Sequence, residues 1–443
     1  MLNKQIIDFN ENLIGLRDFV ELIDPFLNEK IEEGDQHIQP IIMSAMLKEV
    51  LSNEENIDEK DKDKFIEFQE KITKDLEEKY KEIPEVKFEK KENDSEEKYA
   101  IKISHSNNEV SKHLENVKKN RKHIELLYTN SLISALSSVE WFFSQLLHFY
   151  YDKHPESAGV QKRTMTLTEL KSFGSIEDAE KYLIDIKIDE ILRGNFESWI
   201  TLLKSDLSLG LGYLNDIKDE LIEVYQRRNL FVHNGGVVNS IYLSKVSENQ
   251  RNGISLNDKL TVNKEYLNNA ICKLQKAFIL IGAELWKKLS PDDTSRGEIL
   301  GDIVYENLLH SRWDICEGLC FFSLKDAQVH PVDKVIAQIN YWLCKKEQGD
   351  YKSIEKEIEK ADFSDKKEIF QLGLFGLRGE TEKIIEILPS VLETKQTNIE
   401  RLQEFPLLRE FRETKEYSEF KKESKFFKED NMEVITPEIV EKE

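Results

Sequence analysis

Arg227-Arg228-Asn229-Leu230-Phe231-Val232-His233-Asn234-Gly235-Gly236 stands near the middle of a 443-residue chain, and the reading of the fold turns on whether it is helical. As a helix it sets Asn229 and His233 four residues apart on one face, with two glycines placed to stop it. Arg228 is turned away from His233 by roughly 140° of helical wheel, but its side chain is long enough to sweep back over that turn. Upstream, Leu221, Val224 and Tyr225 mark a buried stripe, and Arg228 takes the next position of the same i, i+3, i+4, i+7 series. A guanidinium on a core-facing stripe is costly unless it is paired, or opens onto a cleft or a subunit interface. A cation, an amide and an imidazole that converge at a helix end suit a phosphate-handling site. The plainer reading makes Arg228 a structural ion pair and His233 a helix cap.

The surrounding composition is that of a helical protein. Hydrophobic residues make up 39% and charged residues 33%, with only 9 prolines and 18 glycines, so long amphipathic helices are expected to dominate two or three domains. A net charge of −22 argues against a protein that coats nucleic acid non-specifically. Residues 191–240 are nearly balanced, with five Lys/Arg against six Asp/Glu, so an RNA substrate would be met in a small cleft. The chain begins without the apolar core of a signal peptide, and no stretch approaches membrane-spanning length. A soluble, cytoplasmic protein without membrane partners is expected, with its four cysteines reduced.

Residues 1–104 read as a charged N-terminal helical region. Its helices are expected to break at Asp24-Pro25 and before Ile41, with a further helix from Lys64 to Tyr80. Val86 and Phe88, then Tyr99, Ile101 and Ile103, alternate with charge and predict a β-hairpin within an irregular insertion. Asp58, Asp61 and Asp63 lack the glycine and closing glutamate of a calcium loop. Residues 107–288 read as an up-and-down helical bundle, with helices near 107–128, 130–152, 168–173, 176–184, 188–204, 214–233 and 263–288. Val237-Val238 and Ile241 to Leu243 are expected to be extended. Glu140 sits among aromatics beside Trp141 and Phe142, which makes it the leading partner for Arg228. Ser290 to Ser295 has turn chemistry and marks a domain boundary. In 296–427, Gly349-Asp350 and Gly379-Glu380 close similar helix-turn-helix units 30 residues apart, near the period of helical repeats. Residues 428–443 read as a disordered acidic tail.

Arg228-Asn229-x-x-x-His233, at a helix end and before Asn234-Gly235-Gly236, resembles the signature of the HEPN superfamily, the higher eukaryotes and prokaryotes nucleotide-binding domains. The resemblance covers about residues 107–288, and the repeats beyond it look tetratricopeptide-like. It implies a mainly α fold with a central up-and-down bundle, and metal-independent endoribonuclease activity. His233 would act as general base on a ribose 2′-hydroxyl, leaving a 2′,3′-cyclic phosphate, while Arg228 would stabilise the phosphoryl oxygens and Asn229 would orient the histidine or the phosphate. Such motifs meet across a homodimer, which would give a composite site and would make an arginine on an apolar stripe tolerable. A toxin or anti-phage defence role is implied, with a protein partner or signal held by the repeats.

Other constellations are weaker. Cys316 and Cys320 lie four apart on a predicted helix but read as buried thiols rather than metal ligands. His148 and His154 read as structural residues or lining of the cleft. There is no Walker loop, no Gly-x-Ser-x-Gly elbow and no His-Glu-x-x-His, so no cofactor is expected. Two further readings stay open: an inactive bundle that binds RNA or a nucleotide, and a scaffold whose repeats recruit proteins.

Overall fold

The computed structural model describes residues 2–52, 59–80, 82–90, 99–104 and 108–427. The protein is mainly helical, and among the described residues its only sheet is a two-stranded antiparallel one. The acidic tail and Asp58 lie outside the described residues.

The chain begins with α1 (Leu2–Ser52), followed by α2 (Glu59–Lys79), β1 (Val86–Lys90), β2 (Tyr99–Ile103) and α3 (Asn108–Lys153). The hairpin register pairs Val86 with Ile103 and Phe88 with Ile101, as the alternation predicts. Two expectations about α1 and α3 need correction. The first 51 described residues form one helix that runs through Pro25 and Pro40. Each proline deprives a carbonyl of its partner, but those carbonyls belong to Glu21 and Gln36, which are exposed residues, so the lost bond falls on the solvent side of the helix. Residues 108–153 likewise form one helix rather than two; no glycine or proline interrupts them, and the buried stripe is continuous through Tyr128, Leu132 and Leu136.

Next come α4 (Leu167–Ser172), α5 (Ile176–Leu192), α6 (Phe196–Ser205), α7 (Lys218–Asn234), α8 (Ser240–Lys245), α9 (Glu248–Arg251) and α10 (Lys264–Leu289). The expected break near 185–187 is absent and falls instead at Arg193-Gly194-Asn195, where Asn195 caps α6 by accepting from the Ser198 N–H at 2.8 Å. Ile241 to Leu243 are helical, not extended, because Asn239 caps α8 through the Tyr242 N–H at 2.9 Å. Val237 and Val238 keep strand-like bonding: Val237 holds an isolated bridge position, and the Val238 N–H donates to the Asp258 carbonyl at 2.8 Å. The remaining helices include α11 (Arg296–Leu309), α12 (Trp313–Lys325), α13 (Pro331–Glu347), α14 (Tyr351–Lys360), α15 (Glu368–Arg378), α16 (Thr381–Glu393) and α17 (Ile399–Glu404). Gly349 before α14 and Gly379 before α16 both hold left-handed turns, with φ of 80° and 68°.

These elements form two compact units, and the division falls inside α1, α3 and α10. The first unit comprises Met1–Ile14, Ala135–Asp258 and Asn268–Glu443. Its core is aromatic: Phe9 stacks on Phe142 at 4.4 Å, Phe143 on Trp199 at 4.5 Å, and Phe196 on Tyr225 at 4.8 Å. Beside that core runs a buried amide network, in which Gln275 Nε2 donates to Asn10 Oδ1 at 2.7 Å and Asn307 Nδ2 donates to the same oxygen at 3.3 Å. The turn Ser290–Ser295 is clamped by Arg296, whose side chain is fully buried. Its Nε donates to Asp326 Oδ2 at 2.7 Å and its Nη1 to the Ser290 carbonyl at 2.7 Å. Beyond that turn α11 packs on α12, α12 on α13, α13 on α15 and α15 on α16.

The second unit comprises Gly15–Ser134 and Lys259–Leu267. Buried Asp24 accepts from Lys264 Nζ at 2.7 Å and also from the Tyr128 hydroxyl. His37 stacks on His113 at 4.0 Å, and Ile41, Leu76, Tyr80 and Val110 form a small apolar cluster.

Candidate functional site

The cleft on the first unit is built around α7. Leu221, Ile222, Val224 and Tyr225 bury its apolar stripe, and the helix ends where Gly235 and Gly236 take φ of 60° and 83°. The Gly236 N–H returns to the Leu230 carbonyl at 3.0 Å, which fixes the last turn and with it His233. His233 is exposed at that end. Arg228, one position along the stripe, keeps only 16% of its side chain in solvent. Its Nη2 donates to Glu140 Oε1 on α3, and its Nη1 donates to Asn229 Oδ1 at 3.2 Å. Burial pulls the guanidinium below its ordinary pKa, yet an arginine stays charged at neutral pH.

Arg228, Asn229, His233 and Glu140 all line one cleft of about 610 Å³. Gly194, Asn195 and Phe196 line it as well, so the N-terminus of α6 opens onto the same space, and its dipole favours an anion there. Gly194 is needed at this rim, since a Cβ would stand 2.5 Å from Ser198 Oγ and 2.9 Å from the Ile191 carbonyl.

Two donors on residues of the cleft wall are unsatisfied. Arg228 Nε and the Tyr225 hydroxyl are buried without a hydrogen-bond partner, although both residues line the cleft. Buried polar groups are almost always paired, so two orphan donors on residues that line one cleft are a cue for a ligand with acceptor oxygens, reached by a small shift of those side chains. Burial also pushes the Tyr225 phenol well above its ordinary pKa, which keeps it a donor across the physiological range. Arg227, by contrast, is committed: Glu223, itself buried, accepts from Arg227 Nε at 2.6 Å and from the Tyr242 hydroxyl at 2.8 Å, tying α7 to α8.

The sequence reading misses Tyr225 and Gly194 as site residues. A tyrosine on an apolar stripe reads as core, and only the absence of a partner for its hydroxyl distinguishes it. His148 and His154 do not reach the cleft; they sit 3.7 Å from Asp185 and 3.6 Å from Glu156. Cys316, Cys320 and Cys344 are buried, and burial raises the thiols of Cys316 and Cys320 well above their usual range. Among the described residues no group of three or more His, Cys, Asp or Glu side chains is placed to hold a metal. No helix among them is long and apolar enough to cross a membrane.

Compared with protein-family models, with curated proteins and with solved structures, the chain gives no match.

Proposed function

We propose that this cleft is half of the active site of a metal-independent endoribonuclease of the HEPN type. The observation that carries the reading is the pair of orphan donors, Arg228 Nε and the Tyr225 hydroxyl, on residues that line one cleft with Asn229 and His233. A phosphodiester supplies the acceptor oxygens those donors lack. In the proposed reaction His233 takes the proton of a ribose 2′-hydroxyl, the 2′-oxygen bonds to the adjacent phosphorus, and the bond to the 5′-oxygen breaks. The leaving oxygen collects a proton, and the products are a 2′,3′-cyclic phosphate and a 5′-hydroxyl. Arg228 stabilises the charge that grows on the phosphoryl oxygens, and Asn229, bonded to Arg228 Nη1, steadies the guanidinium.

His233 stands exposed at the end of α7. That position supports a homodimer in which a second copy closes the cleft and brings a second imidazole to protonate the leaving group. The C-terminal helices, with their recurrent left-handed turns at Gly349 and Gly379, are read as tetratricopeptide-like repeats that hold a protein partner or regulator. A cytoplasmic toxin or anti-phage effector is the role this set of parts fits.

Total RNA incubated with the protein in EDTA, followed by end-group analysis, tests the reading. Wild type is expected to give cyclic-phosphate ends, and His233→Ala to cut more slowly by about 10²–10⁴-fold. Full activity of His233→Ala, or its loss on chelation, would overturn the proposal. The Glu140–Arg228 ion pair favours a second reading, in which the neutralised arginine holds RNA or a nucleotide without cleaving it. Binding with intact RNA at high protein concentration selects that alternative.

A further inference from the structure

Within the first unit, two adjoining cavities of about 340 and 210 Å³ lie among α11, α13, α15 and α17 and share Gly301, Tyr305, Asn340 and Arg401. The larger is walled mainly by apolar side chains, among them Ile339, Phe370, Leu372 and Phe405. Asn340 is only 5% exposed, and its side-chain amide makes no hydrogen bond to any described residue. Asn340 stands on both cavity walls with its amide uncommitted, so it is the point where a ligand's polar group is met. Arg401 lies over the Tyr305 ring at 5.2 Å, and neither it nor Lys367, also on the wall of the larger cavity, is ion-paired among the described residues. Glu298, Asp302 and Asp333 line the smaller cavity, whereas among the described residues no carboxylate lines the larger one beside Arg401 and Lys367, so an anion is favoured in the larger.

We infer that the larger cavity is a binding site for a small amphiphilic anion, an apolar body that carries a carboxylate or a phosphate. The apolar walls take the body, Asn340 hydrogen-bonds where body and head join, and Arg401 meets the head. Its volume is that of a small-ligand pocket. The inference is independent of the RNA reading, since it uses no residue of that cleft.

Calorimetric titration of the full chain with decanoate, decyl phosphate and decanol tests it. Both anions are expected to bind, with decanol about tenfold weaker for want of one charge-assisted bond. Preference for decanoate assigns a fatty-acid-like ligand, and preference for decyl phosphate a phosphorylated one. Arg401→Gln is expected to bring the anions down to the level of decanol. Gly301→Leu is expected to abolish binding of all three: a Cβ at Gly301 meets no atom within 4 Å, so leucine fills the cavity while favouring the helix. Thermal melts of both variants establish that they are folded. Absence of binding, equal binding of decanol and decanoate, or binding untouched by Gly301→Leu each overturns the inference. A peptide of residues 428–443 that binds more tightly than either anion makes the chain's own tail the occupant and overturns it too.

Discussion

Tyr225 carries the sharpest test at the level of single residues. Its ring is stacked on Phe196, while its hydroxyl is buried and unpaired. Tyr225→Phe keeps the stack and removes a polar group that finds no partner, so stability in urea is expected to hold or to rise by up to about 1 kcal/mol. On the proposed reading the same change slows RNA cleavage by about tenfold, because a donor to the phosphodiester is gone. A loss of stability with unchanged cleavage would make the hydroxyl structural. Arg228, Asn229, His233 and Glu140 are legible in sequence as neighbours because helical spacing is local and a carboxylate among aromatics asks for a cation. The orphan state of the Tyr225 hydroxyl is not, since it depends on what every surrounding element fails to offer.

Helix α7 is held in register by its two terminal glycines, and a prediction belongs to that element as a whole. Gly235 has φ of 60° and no atom within 4 Å of an added Cβ, so Gly235→Ala carries conformational strain and no clash. The expected loss is about 1–2 kcal/mol in chemical denaturation, with the last turn and His233 fraying first. Gly235→Asn, which tolerates a left-handed backbone, is expected to lose less. The glycine stop is readable from sequence because it rests on a single-residue rule. The continuous run of α1 through Pro25 and Pro40 is not, because proline chemistry predicts a break and the packing that carries the helix past it is not local. Gly194 shows the same limit: it reads as one more helical position, whereas Ser198 Oγ and the Ile191 carbonyl leave no room for a Cβ.

For the molecule as a whole, the Arg296–Asp326 pair is a fully buried connection, with side chains 0% and 1% exposed. Burial works to raise the Asp326 carboxyl, but bonds from Arg296 and the Gln328 N–H outweigh it and hold it below the usual carboxylate value. A folded pKa below the unfolded one, about 3.9, gives stability that is present above that pH and lost as pH falls through the lower value. Asp326→Asn is therefore expected to lose about 3–5 kcal/mol in urea unfolding at pH 7, with the gap to wild type closing under strong acid. A gap that stays constant with pH would show that the carboxylate charge is not what matters. The division into two units inside α1, α3 and α10 is invisible to sequence, because it follows no shift in composition and no turn signal.

The Ser290–Ser295 turn has one more consequence. Proline, two aspartates, threonine and two serines give it the composition of a flexible linker. The bonds from Arg296 to Ser290 and Asp326, and from Trp286 Nε1 to Asp293 at 2.9 Å, make it a weld. A protease has to draw several residues of backbone out of such a turn before it can cut. Limited tryptic digestion of the native protein is therefore expected to spare the bond after Arg296, and mass mapping should find fragments that run uncut across residues 290–297. The helices on either side of it would then move together, without a swivel at this turn.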